Sequence, residues 1–140
     1  MTSTPISAQS SYPVRRQPYY PWWLHRLADD ATLEGSAMQG TVRGAEAIRT
    51  IVVDAHALQE DRELSFVGDY GDNGYLEQYT CKIHGEPTCV VVTVELNAEG
   101  EAQRLAVLHR PRGSVLLFAR LMGQKYAGTP LARYFVADEP

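Results

Sequence analysis

The sequence predicts an α+β fold in which an antiparallel sheet is backed by helices, and two observations carry that prediction. Between residues 45 and 58 the apolar side chains Ala45, Ile48, Ile51, Val52, Ala55 and Leu58 recur at intervals of three and four, the period of a helix with one apolar face. Between residues 74 and 110 three runs alternate in the two-residue period of strands and are separated by short turn-forming segments, the pattern of an antiparallel meander. Each pattern leaves an apolar face that only the other can cover.

Length and composition set the outer bounds. At 140 residues the chain is one domain, large enough for a real core and for a single cavity at most. The net charge is −4 with acidic and basic residues interspersed, so neither a nucleic-acid partner nor a membrane surface is expected. Apolar runs such as residues 89–92 fall far short of the roughly 20 residues of a membrane span. Residues 1–21 are rich in Ser, Thr, Pro and Tyr and lack the apolar centre of a secretory signal, which predicts a cytoplasmic protein. Cys81 and Cys89 have neither metal-ligand spacing nor the numbers for a disulfide framework.

In order, Pro5, Pro13, Pro18 and Pro21 prevent a helix in the first 21 residues, which read as a flexible arm ahead of one domain over residues 22–137. Tyr19, Tyr20, Trp22 and Trp23 are aromatic core rather than a stacking platform. Residues 22–28 read as a short helix burying Trp23, Leu24 and Leu27, ended by Asp29-Asp30, and residues 31–38 as a strand. After the main helix, residues 60–63 are a solvated charged break. Strands follow at 64–67 and 74–84 around a turn, whose acidic residues lack the spacing and closing Glu of a helix-loop-helix calcium site. Strands at 88–96 and 103–110 complete the meander. Ser114 is the expected N-cap of a last helix so apolar (Val115, Leu116, Phe118, Ala119, Leu121, Met122) that burial on more than one side is expected, closing a pocket or joining a dimer.

The run Leu27-Ala28-Asp29-Asp30-Ala31-Thr32-Leu33-Glu34-Gly35, followed by Arg43-Gly44-Ala45-Glu46-Ala47-Ile48-Arg49, resembles the nuclear transport factor 2-like superfamily, which includes ketosteroid isomerase, limonene epoxide hydrolase and SnoaL-like polyketide cyclases. The resemblance covers about residues 22–122 and speaks for fold rather than activity. It implies a curved antiparallel sheet wrapped with helices into a cone around an internal pocket, commonly a homodimer through the outer surface of the sheet. Residue by residue, the catalytic sets are absent. Gly35 stands where ketosteroid isomerase-like proteins have their aspartate base, Val92 where they have the second aspartate, and Ser11 or Tyr12 near their tyrosine. The aspartate, arginine and aspartate of epoxide hydrolase-like proteins correspond to Glu77, Tyr75, and His109 or Val107. A carboxylate, a phenol and an imidazole retain acid/base capability without the specific reactions.

Strand periodicity tests which side chains face inward. With Gly85-Glu86 at a hairpin tip, Ile83 pairs with Thr88, Cys81 with Val90 and Tyr79 with Val92. Tyr75, Glu77, Tyr79, Cys81 and Ile83 then share a face with Val90, Val92, Val94 and Leu96, joined by Leu105, Val107 and His109. Cys81 points in and Cys89 out, so no disulfide links them.

His109, whose ordinary pKa lies near neutrality, is the first candidate for chemistry; its plain alternative is a hydrogen-bonded core histidine. Glu77, a carboxyl among apolar strand residues, is the candidate partner, and its alternative is a water-exposed edge position. Tyr79, Tyr75, Trp23, Val92, Val107, Phe118 and Met122 are the expected ligand-binding wall. His25, His56 and His84 read as surface or structural. No catalytic triad order, phosphate loop or metal cluster appears, and no cofactor or metal is expected. Two functions follow: a homodimeric protein that binds a small apolar molecule, with isomerase, cyclase or hydrolase chemistry at His109 and Glu77, or a non-catalytic ligand-binding or dimerisation module whose cone is filled by Trp22, Trp23, Phe118 and Met122.

Overall fold

The computed structural model describes residues 21–135. After a 3₁₀ turn (Trp22–His25) come β1 (Leu27–Gly35), β2 (Val42–Arg43), α1 (Ala45–Ala57), β3 (Gln59–Tyr70), β4 (Gly74–Ile83), β5 (Glu86–Leu96), β6 (Ala102–Arg110), α2 (Arg112–Lys125) and a second 3₁₀ turn (Pro130–Tyr134). One six-stranded sheet runs β2-β1-β6-β5-β4-β3. Its meander is antiparallel as expected, and β1 adds a parallel pairing, against β6. The arm expected over residues 1–21 lies, but for Pro21, outside the described residues, as do residues 136 and 137 of the expected domain.

The helix α1 forms where its periodicity places it, and Ile48, Ile51 and Val52 bury its apolar stripe against the sheet. Burying side chains of this size stabilises by about 1.5–3 kcal/mol each. The second helix differs from expectation. It buries one stripe, Ser114, Phe118 and Met122, four residues apart, and leaves Leu116 57% exposed. Nor does Ser114 cap it: the helix begins at Arg112 after Pro111, and the Ser114 hydroxyl donates to the Pro87 carbonyl at 3.2 Å, tying α2 to β5.

Three boundaries shift for identifiable reasons. The expected helix over residues 22–28 is only a 3₁₀ turn, and the following strand starts at Leu27. Asp29-Asp30 falls inside β1, where the pairing with β6 jumps from Leu27–Ala102 to Thr32–Arg104 and the extra residues bulge into solvent. The charged segment 60–63 is strand, not break, because β3 is an edge whose outer side meets water and tolerates charge. Two register shifts bend β3, one beside Asp61 at φ 56° and one between Leu64 and Phe66.

The β4–β5 hairpin turns at His84-Gly85, both with positive φ (48° and 81°), rather than at Gly85-Glu86. Two successive residues of this kind make the turn that matches strand twist. Ile83 therefore pairs with Glu86, Cys81 with Thr88, Tyr79 with Val90 and Glu77 with Val92. The displacement is two residues, one full side-chain period, so every residue keeps its expected face. Cys81 is buried inward, Cys89 lies on the other face, and both are free thiols.

Candidate functional site

The register assembles the inner wall in cross-strand rows. Tyr79, Val90 and His109 form one row, Glu77, Val92 and Val107 the next, and Tyr75, Val94 and Leu105 a third. His109 is thus two same-face steps closer to Glu77 than the expected pairings, which set it beside Thr88 and Ile83, allowed. It is still two strands away, about 10 Å across a sheet.

A cavity of about 40 Å³ lies between this wall and the helices. Trp23, Tyr79, Val92, Val107, Phe118 and His109 line it, as expected. They are joined by Leu33 and Gly35 of β1, Ala37 and Met38 of the following loop, Ile51, Val52, Ala55 and His56 of α1, Gln59 of β3, and Phe135. The remaining three expected residues, Tyr75, Glu77 and Met122, are buried but do not line this cavity.

His109 is held by its backbone and by its ring. Its backbone N–H donates to Ser36 Oγ at 2.9 Å, and Ser36 N–H donates to the Val107 carbonyl at 3.1 Å, so the end of β1 clamps β6 at this point. The imidazole stacks on Phe118 with ring centroids 4.3 Å apart and planes 25° apart. It is 7% exposed, and neither Nδ1 nor Nε2 has a hydrogen-bond partner among the described residues. Burial pushes its pKa down to about 4, so the ring is neutral at pH 7 and carries one donor and one acceptor.

Glu77 is 2% exposed, so the water-exposed alternative does not hold. Its Oε2 accepts from Trp23 Nε1 at 3.2 Å and from the Tyr75 hydroxyl at 3.1 Å. The carboxyl that looked costly among apolar residues ties the entry turn to the sheet, and it makes no hydrogen bond with His109.

Strands β3 and β4 bring further polar side chains to the lining. The Tyr79 hydroxyl donates to Gln59 Oε1 at 3.1 Å, and Arg62 Nη1 donates to the same oxygen at 3.3 Å. Burial pushes the Tyr79 phenol well above its usual pKa, so it remains a donor. Burial also pushes the Cys81 thiol up to about 11, leaving little thiolate for reaction.

At Gly35, one of the two positions compared with the isomerase aspartates, the backbone opposes an acid. A Cβ on Gly35 would stand 2.8 Å from the Val107 backbone oxygen, leaving no room for an aspartate. Val92 is buried in the wall between Glu77 and Val107.

Ten of the lining residues were not in the expected wall, and three of them lie outside the helical and strand periodicity. Met38 sits in a turn, Gln59 is one polar residue at a helix end, and Phe135 follows Gly128-Thr129-Pro130, past any periodic segment. Only the apolar cluster around Tyr134 and Phe135 offered a signal.

No family model matches the sequence, and no curated protein matches it. Solved structures do. An uncharacterised protein with a cystatin-like fold from Silicibacter pomeroyi aligns at TM-score 0.70 and 17% identity over 76% of this chain and 74% of that one. A steroid delta-isomerase from Pseudomonas aeruginosa aligns at TM-score 0.70 and 15% identity over 74% and 77%. An NTF2-like protein of unknown function from Cytophaga hutchinsonii aligns at TM-score 0.51 and 20% identity over 65% and 75%. The resemblance read from the two motifs is thereby met at the level of architecture: this chain has the cystatin-like, nuclear transport factor 2-like α+β fold.

Proposed function

We propose that the protein binds a small, largely apolar molecule in its cone, with one polar atom of the ligand against His109. The observation that carries this reading is the imidazole: both ring nitrogens are buried and without a partner at the cavity wall. Leaving a buried polar group unmade costs about 1–3 kcal/mol, a cost that a ligand atom relieves. A pKa of about 4 makes His109 a weak base at neutral pH, so its role is to hydrogen-bond the ligand rather than to abstract a proton. Glu77, occupied by Trp23 and Tyr75, supports the wall and does not relay protons to His109.

The cavity volume of about 40 Å³ sets the ligand size at a few heavy atoms, well below the roughly 300–1,000 Å³ of drug-sized sites. That small volume also favours the second reading, a non-catalytic module with a filled cone; of its expected fillers Trp23, Phe118 and Met122 are buried, whereas Trp22 is 39% exposed. Titration with 2-propanol, followed by NMR of the methyl groups of Leu33, Ile51 and Val92, separates the two. Saturable shifts are expected at all three residues, with an affinity several-fold weaker in His109→Leu. Shifts that never saturate would leave only the filled module.

On the same reading the protein is a cytoplasmic homodimer joined through the outer sheet face. Phe66, Gln78, Val91 and Leu108 form a row there, with Phe66 52% and Leu108 47% exposed. Sedimentation is expected at twice the 15.6 kDa chain mass, and at the single-chain mass for Leu108→Glu. A wild-type monomer at micromolar concentration would remove the dimer. Among the described residues no helix is long and apolar enough to cross a membrane.

A further inference from the structure

Gln59 carries an assignment that the sequence did not suggest. Its side-chain oxygen accepts from two groups, the Tyr79 hydroxyl and Arg62 Nη1. Arginine has no acceptor, so the amide atom facing Arg62 has to be the oxygen, and this settles the orientation of the amide. Its NH₂ makes no hydrogen bond among the described residues, and the side chain lines the same cavity as His109.

We propose that the Gln59 amide is a specificity-determining donor of the cavity, selecting ligands that carry a hydrogen-bond acceptor such as a ketone, aldehyde or ether oxygen. This rests on the cavity being a binding site and adds the ligand class. The donor is polarised in the right sense: a cation and a phenol both pull on Oε1, which strengthens the N–H groups of the same amide. Tyr79, which holds Gln59, shares a cross-strand row with His109 but stands two strands away. The preferred ligand is therefore a compact molecule of a few heavy atoms with an acceptor oxygen for the Gln59 amide.

The test uses two probes of one shape, acetone and 2-methylpropene, titrated into the full chain and followed by the methyl signals of Ile51 and Val92. Acetone is expected to bind more tightly than the hydrocarbon. Gln59→Leu is expected to weaken acetone about three- to tenfold and to leave 2-methylpropene unchanged, the loss of one neutral hydrogen bond. Gln59→Glu keeps an oxygen for Tyr79 and Arg62 but presents a second acceptor in place of the NH₂, and is expected to weaken acetone at least as much. If Gln59→Leu weakens both probes equally, its cavity has collapsed and Gln59→Glu decides. Acetone binding that is unchanged in Gln59→Glu overturns the assignment while leaving the binding site standing. If neither probe binds the wild type, the site and the assignment fall together.

Discussion

Replacing His109 by Leu changes how stability depends on pH, and the structure sets the size of the change. In the unfolded chain the imidazole titrates near 6.5, and in the folded chain burial lowers this to about 4 with no opposing charge at the ring. Between those values the unfolded state binds a proton that the native state refuses, so the native state loses stability as the pH falls. One proton corresponds to about 1.4 kcal/mol per pH unit, and the whole interval amounts to about 3 kcal/mol. Above pH 6.5 the effect is absent, because both states hold a neutral ring. Leu occupies nearly the same volume and does not titrate. Urea unfolding of both proteins at several values between pH 4 and pH 7.5 isolates the histidine, since every other ionisable group is common to the pair. The wild type is expected to lose ground against His109→Leu steadily from pH 6.5 down to about 4 and to run parallel with it above. Parallel curves throughout would mean that the imidazole titrates normally in the fold, and the neutral, buried donor–acceptor at the cavity wall would be refuted.

Other perturbations follow from the same geometry. Phe135→Ala removes an aromatic wall of the cavity, and is expected to cost about 3–5 kcal/mol in urea unfolding while admitting benzene, which NMR of the Val92 methyls detects. Glu77→Ala strips the Trp23 indole of its acceptor and is expected to cost about 3 kcal/mol, whereas Glu77→Gln keeps an oxygen there and is expected to cost about 1 kcal/mol in the same assay. Gly35→Asp forces a Cβ to 2.8 Å from the Val107 oxygen and is expected to lower the melting temperature, by a penalty of about 1–3 kcal/mol for overpacking alone, without creating steroid isomerase activity.

What was legible in the sequence is largely what depends on period. The stripe of Ile48, Ile51 and Val52 needs only the 3.6-residue repeat, and the inward set from Tyr75 to Ile83 needs only alternation. The hairpin tip was misplaced by one position, which moved the pairing by two residues, and the face of His109 survived because two is the period of a strand. Features set by tertiary surroundings were harder to read. Asp29-Asp30 looks like a helix end, yet it is a bulge made possible by parallel pairing with a strand about 70 residues later. The charged stretch 60–63 looks like a loop because nothing local says that β3 is the edge of the sheet. Of the site, the wall contributed by strands was readable, including His109, Tyr79, Val92 and Val107. Gln59 and Phe135 were not, since each reaches the cavity through a chain direction set outside any repeat.

The account rests on His109 as a neutral group waiting for a ligand atom, and the most direct measurement is the long-range ¹H–¹⁵N spectrum of its ring with and without saturating 2-propanol. The free protein at pH 7 is expected to show one protonated and one unprotonated nitrogen, and the probe to shift the ring nitrogens of His109 while leaving those of exposed His25 and His84 in place. A charged ring in the free protein, or His109 nitrogens that do not respond to the probe, would contradict it.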